Sequence, residues 1–175
     1  MGQNAEKLKS SLKEKIFSDL KEFLKTQNEI GVQTLRLLLA SILQKEKEKR
    51  YRLSSNKNFS EKELANQSQL TDDEILEVLF SEIKKRKEVI SIYEKTRRND
   101  LLEKEKKELE VLEGYLPKQL TDEEILGILK EIINEIKASN LKDLGKVMAR
   151  AMPQIKGKAE GARVSALAKK LLSSL

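Results

Sequence analysis

The chain has 175 residues, 35 Lys and Arg against 29 Asp and Glu, and neither histidine nor cysteine. Their absence removes disulfides, thiol catalysis, the usual imidazole base and the ordinary zinc and iron sites. Charged residues make up 37% and aromatics 4%, which suits solvated, elongated helices better than a thick globule.

Apolar spacing predicts helix throughout. In the first segment Leu8, Leu12, Ile16, Leu20, Phe23 and Leu24 recur at three- and four-residue intervals, one stripe on a helix. Thr26-Gln27-Asn28 and Gly31 punctuate the chain, and a second segment carries Val32, Leu35, Leu38, Leu39, Ile42 and Leu43 before fading into the solvated end QKEKEKR, 44–50. Residues 53–70 read as a polar, mobile connector with a short helical turn near 61–65. The third segment opens on TDDE, 71–74, where Thr71 and Glu74 can cap reciprocally. Ile75, Leu79, Ile83, Ile90 and Tyr93 then hold one face. After a break near 96–99, with Asn99 or Asp100 as cap, Leu101, Leu102, Leu109, Leu112 and Leu116 form a fourth segment that Pro117 ends. LTDEEIL, 120–126, repeats the capping device and starts a fifth segment through Ile125, Leu129, Ile132, Ile133 and Ile136. A sixth packs Leu141, Leu144, Val147, Met148 and Met152 before Pro153 interrupts it, and a seventh, 162–173, buries Val164, Leu167, Ala168, Leu171 and Leu172. The expected architecture is all-α: an N-terminal helical domain over 1–116 and a small three-helix tail over 118–175.

No stretch reaches the ~20 apolar residues of a membrane span, and no secretory n-region opens the chain. Glu6 stands where a myristoylation signal needs Ser or Thr. A cytoplasmic protein without membrane association is the expectation. Residues 144–175 hold seven bases and one acid, Glu160, so the other 143 residues carry 28 of each sign. Gly145, Pro153, Gly157 and Gly161 also fall in this segment.

TLRLLLA (34–40), IKKRKE (83–88), LEVLEGYLPKQLTDEEI (109–125) and DLGKVMARAMPQIKGKAEGARVS (143–165) resemble the GatB/YqeY family, and YqeY-like proteins in particular. The resemblance runs in order over nearly the whole chain. It implies kinship with the tail of the B subunit of glutamine-dependent tRNA amidotransferase, a domain that contacts tRNA. That enzyme's kinase, transamidation and glutaminase sites lie elsewhere and have no counterpart here. The resemblance therefore implies a tRNA-binding accessory protein with no catalytic site, metal or cofactor of its own. The alternatives are a module that docks a tRNA-handling enzyme, or a component of a glutamine-dependent carbon–nitrogen ligase. Gln154 and Ala162 stand where the family often has a base, and Arg163 adds one next door.

The residues expected to meet phosphate are Lys146, Arg150, Lys156, Lys158, Arg163 and Lys170, with Gly157 and Gly161 giving close backbone access. A helix starting near Ala162 would offer free N–H groups and partial positive charge. Arg163 and Lys170 lie within about 20° on a helical wheel. The tail has no aromatic residue to stack on a base, so recognition would read backbone shape. For the docking alternative, Val147, Met148 and Met152 would form an apolar contact patch. Arg86 and Arg36 are expected to pair with carboxylates. EKEKKELE (103–110) is read as a solvated face, and Tyr51, Tyr93 and Tyr115 as closing core edges.

Overall fold

The computed structural model describes residues 11–55 and 59–174. Among them are eight α-helices, one 3-10 turn and no strand, so the protein is all-α. The chain divides into two compact units, Met1–Tyr115 and Leu116–Leu175.

The first unit contains α1 (Ser11–Lys25), α2 (Glu29–Ser54), α3 (Glu61–Gln67), α4 (Asp72–Thr96) and α5 (Asn99–Glu113). Its core is the set the apolar spacing selects: Ile16 of α1, Leu35, Leu38 and Ile42 of α2, Ile75, Leu79 and Ile83 of α4, and Leu112 of α5. Leu24 and Leu43, read as parts of the first and second stripes, are exposed, and Leu8 lies outside the described residues. Thr26, Gln27 (φ 56°) and the cap Asn28 separate α1 from α2 as expected, whereas Gly31 lies inside α2. It sits in the first turn of α2, donating its N–H to the Asn28 side chain at 2.9 Å. The Phe23 ring lies against its α-carbon so closely that a β-carbon would collide with it.

Within 53–70, α2 runs on to Ser54 and α3 begins on a Ser60–Glu63 capping box, while Ser68 and Leu70 are buried. Thr71 and Glu74 form the reciprocal cap expected of them. Burial pushes the Glu74 carboxyl up, but Lys49 and the Thr71 N–H and hydroxyl outweigh it and hold the group below the usual carboxylate range. The link from α4 to α5 is only two residues. Arg97 takes the left-handed conformation (φ 55°), and Arg98, not Asn99 or Asp100, occupies the cap position without a side-chain bond. The α5 helix stops at Glu113, short of Leu116, with Gly114 at its cap position and Tyr115 buried beyond it. The Tyr115 hydroxyl donates to Asp19 at 2.7 Å, and the Lys15 ammonium lies 5.4 Å from the ring centre. Burial first, and then Asp19, push that hydroxyl above its ordinary pKa.

Arg86 of α4 pairs with Glu105 of α5 at 2.7 Å and more closely with Glu108, whose residue is only 4% exposed. This is the carboxylate partner expected for Arg86, so one residue of EKEKKELE is buried rather than solvated. Arg36 corrects the matching expectation. It is exposed to solvent and has no ion pair among the described residues, so water rather than a carboxylate satisfies its charge.

The second unit is three helices around one core: α6 (Asp122–Glu135), α7 (Leu144–Ile155) and α8 (Gly161–Leu172). Ile125, Leu129, Ile132 and Ile133 of α6 meet Val147, Ala151 and Ile155 of α7 and Val164, Ala168 and Leu172 of α8. Thr121 and Glu124 close the repeated capping box. The Thr121 N–H is the largest cause holding the Glu124 carboxyl below its usual range.

Two expectations about the helices fail in this unit. Pro153 does not end α7, which continues to Ile155; a proline removes one bond and one donor, and burial of Ala151 and Ile155 on either side holds the turn. Leu141 does not join the core. It lies in the 3-10 turn Leu141–Asp143, 51% exposed, where Asn140 caps the Lys142 N–H.

Candidate nucleic-acid interface

The turn joining α7 to α8 is built around one backbone requirement. Ile155 closes α7 with its side chain in the core, Gly157 takes φ 78°, and Ala159 returns to the core. A residue with a β-carbon is strained at that φ, so glycine is needed there. Gly161 differs from the expectation. It is the first residue of α8, its φ is not positive, and a β-carbon would only touch Met152 at 3.6 Å.

The carbonyls of this turn face the entry to α6. Gln119 donates its amide to the Gly157 carbonyl at 3.0 Å, and the Leu120 N–H donates to the Lys158 carbonyl at 2.8 Å. The Lys156 and Lys158 side chains are left outside, both exposed. The same stitching brings the starts of α6 and α8 together. Arg163 Nε and Nη2 bond Asp122 Oδ1 at 2.7 and 2.5 Å, and Nη1 donates to the Leu120 carbonyl at 3.2 Å.

The six expected bases therefore divide. Arg163 is held by Asp122, Arg150 stands 3.7 Å from Glu135, and Lys146 pairs with Asp143 at 3.0 Å. The Lys146 hydrogen bond is the largest cause keeping the Asp143 carboxyl low. Lys158 and Lys170 are exposed with no ion pair among the described residues, and so is Lys169 beside Lys170. Lys146 and Arg150 share one stripe of α7, and Arg163 and Lys170 one stripe of α8. The start of α8 is not a bare anion site, since Glu160 occupies its cap position and Asp122 lies beside it.

Charge follows the units less sharply than the last 32 residues suggest. Leu116–Leu175 holds 11 bases and 7 acids, because α6 and its cap region are acidic; Met1–Tyr115 holds 24 and 22. The net values are thus +4 and +2. The apolar patch expected for protein docking does not form: Val147 is fully buried, Met148 packs against the core, and Met152 is half-buried next to Gly161.

These features define an all-α protein with a three-helix unit that exposes Lys169 and Lys170 on its last helix and Lys158 on the preceding turn. A family model described as Yqey-like protein matches residues 55–172, and the chain belongs to that family. It is 27% identical over 144 residues to Altered inheritance of mitochondria protein 41, mitochondrial, of Pyrenophora tritici-repentis, covering 81% of this chain and 70% of the relative. It is 32% identical over 112 residues to the E subunit of Glutamyl-tRNA(Gln) amidotransferase from Thermococcus gammatolerans, covering 61% of this chain but 17% of that relative. An uncharacterized protein of Schizosaccharomyces pombe is 40% identical over 67 residues, which cover 37% of this chain and 54% of that protein. The protein is thus related to one component of an amidotransferase over a small part of that component's length. No helix among the described residues is long and apolar enough to cross a membrane.

Proposed function

We propose that this protein is a non-catalytic accessory factor that grips tRNA by its phosphates through the Leu116–Leu175 unit, next to an enzyme that acts on the same tRNA. The observation that carries the reading is the similarity to a protein named for Glutamyl-tRNA(Gln), taken with exposed, unpaired Lys158, Lys169 and Lys170 on this unit. A lysine is a flexible point charge suited to phosphate oxygens, and each contact releases counterions. Lys158 and Lys170 are the leading contacts. Lys146, Arg150 and Arg163 join as their carboxylate partners exchange for phosphate, since surface ion pairs are weak. Lys156, Gly157 and Gly161 shape the turn beside them.

The unit has no aromatic residue, so the grip follows backbone shape and not sequence. The reading places the protein in the cytoplasm, as the sequence suggests. One fungal relative is named for mitochondria, and imaging a tagged chain separates the two compartments. Crosslinking in cells, followed by sequencing of bound RNA and mass spectrometry of crosslinked peptides, tests the function. The expected product is tRNA joined within residues 156–170. Recovery of protein partners alone, with no RNA, would overturn the reading. The purified chain should form no amide from glutamine; if it does, an enzyme replaces the accessory factor.

A further inference from the structure

The last three turns of α2 leave the core behind. Ile42 is the final buried residue of the helix, yet the helix continues twelve residues to Ser54. One side of this extension leans on the start of α4. Glu46 accepts the Leu70 N–H at 3.2 Å and pairs with Lys13 at 2.6 Å, and Lys49 reaches Glu74 at 2.7 Å and the Gln69 carbonyl at 3.0 Å. At 100° per residue, the opposite side is centred on Tyr51, with Gln44, Lys47 and Glu48 nearest and Arg50 and Arg52 flanking it.

Tyr51 is 78% exposed, which corrects the expectation that it closes a core edge. Beside it lies an open depression of about 560 Å³ lined by Gln44, Lys45, Lys47, Glu48, Tyr51 and Arg52. Residues 44–52 hold five bases and two acids. Glu46 is paired with Lys13, Glu48 with Lys45 at 2.8 Å, and Lys49 with Glu74, which leaves Lys47 and Arg50 with no ion pair among the described residues and Arg52 with only a longer-range attraction to Glu48. Basic residues near a helix C-terminus complement its dipole, and that accounts for Arg50 and Arg52. It does not account for a largely exposed aromatic ring between them, nor for Lys47 one turn below.

We infer that Tyr51 is a stacking platform for an unpaired RNA base, with Lys47, Arg50 and Arg52 taking the flanking phosphates. An exposed aromatic among cations is what single-stranded recognition uses, since every base offers a π-face and every linkage a charge. This contact goes beyond the tRNA grip, because it lies in the other unit and supplies the aromatic that the Leu116–Leu175 unit lacks. RNA is favoured over an acidic peptide by the pairing of a ring with three separate cations, and over an anionic membrane by the single aromatic and the polar residues around it.

The test uses a fluorescent ten-nucleotide single-stranded adenylate and the full chain at 50 mM salt, read by anisotropy. Tyr51→Ala should lose about five- to a hundredfold in affinity, from the stacking of one base. Tyr51→Phe, which keeps the ring, should bind within about twofold of the natural chain. Lys47→Glu with Arg50→Glu should weaken binding and flatten its salt dependence. An abasic oligomer should bind the natural chain and Tyr51→Ala alike. Lys158→Glu with Lys170→Glu should leave the adenylate contact in place, so failure of the tRNA grip and failure of this site give different results. Equal binding by Tyr51→Ala and the natural chain would overturn the proposal. So would an absence of adenylate binding, or a Tyr51-dependent binding of an acidic peptide or phosphatidylserine vesicles with no effect on RNA.

Discussion

Replacing Arg86 with Met should be among the most damaging single changes in the Met1–Tyr115 unit. The guanidinium, with its side chain 13% exposed, joins α4 to Glu105 and Glu108 of α5. Its loss leaves Glu108 buried, and the cation that remains paired with it among the described residues, Lys104, is exposed and 3.8 Å away. Removing one partner of a buried ion pair typically costs about 3–5 kcal/mol. Glu105 keeps some contact with water and Lys104 compensates in part, so about 3 kcal/mol is expected here. For a unit of this size that corresponds to a fall of roughly 10–15 °C in melting temperature. Thermal and urea unfolding followed by circular dichroism reads it. Arg86→Met with Glu108→Leu should recover to within about 1 kcal/mol of the natural protein. The pair variant also removes Arg86 Nε, which is buried without an acceptor among the described residues. Lys87→Met, which breaks a pair with Glu113 exposed by 57% and 43%, should cost less than about 1 kcal/mol. A cost for Arg86→Met no larger than that of Lys87→Met would refute the idea that this cluster holds α4 and α5 together.

Two further predictions concern the same unit. Gly31→Ala drives a methyl into the Phe23 ring, so the helical propensity it gains should be outweighed by a net loss of about 1–3 kcal/mol; Gly31→Ala with Phe23→Leu should regain part of it, and a stabilised single variant would contradict the contact. The folded Glu74 carboxyl is held below its unfolded value. Its contribution is therefore present above pH ~4.5 and lost as pH falls through the folded pKa, so Glu74→Gln should flatten the stability profile in that acid window, and an unchanged slope would contradict it.

Much of the helical framework is legible in the sequence because it is local. Thr71 with Glu74 and Thr121 with Glu124 announce their helices over four residues, and Ser60 with Glu63 carries the same signal for α3. The stripe Leu35, Leu38, Ile42 names its own buried face. The Arg86 pairing is foreseeable because Arg86 falls inside the apolar arc of its helix, where a charge needs a partner. Arg36 borders its arc instead and stays exposed, where solvent replaces the need for a partner. Arg163 and Asp122 are 41 residues apart, so no spacing rule joins them, and the same holds for Gly157 with Gln119. Tyr51 escapes a sequence reading for a related reason: its exposure depends on which side of α2 leans on Leu70 and Glu74. Pro153 is a weaker stop than its residue type suggests, since the core on both sides of it outweighs one missing hydrogen bond.

The most direct measurement of the central claim is the affinity of the full chain for tRNA as a function of salt, beside the Lys158→Glu, Lys170→Glu variant. Counterion release predicts a straight line of log affinity against log salt for the natural chain. It also predicts uniformly weaker binding by the variant, with a slope shallower by about 2. Two coincident lines would contradict the account, as would tRNA affinity in the natural chain that is independent of salt.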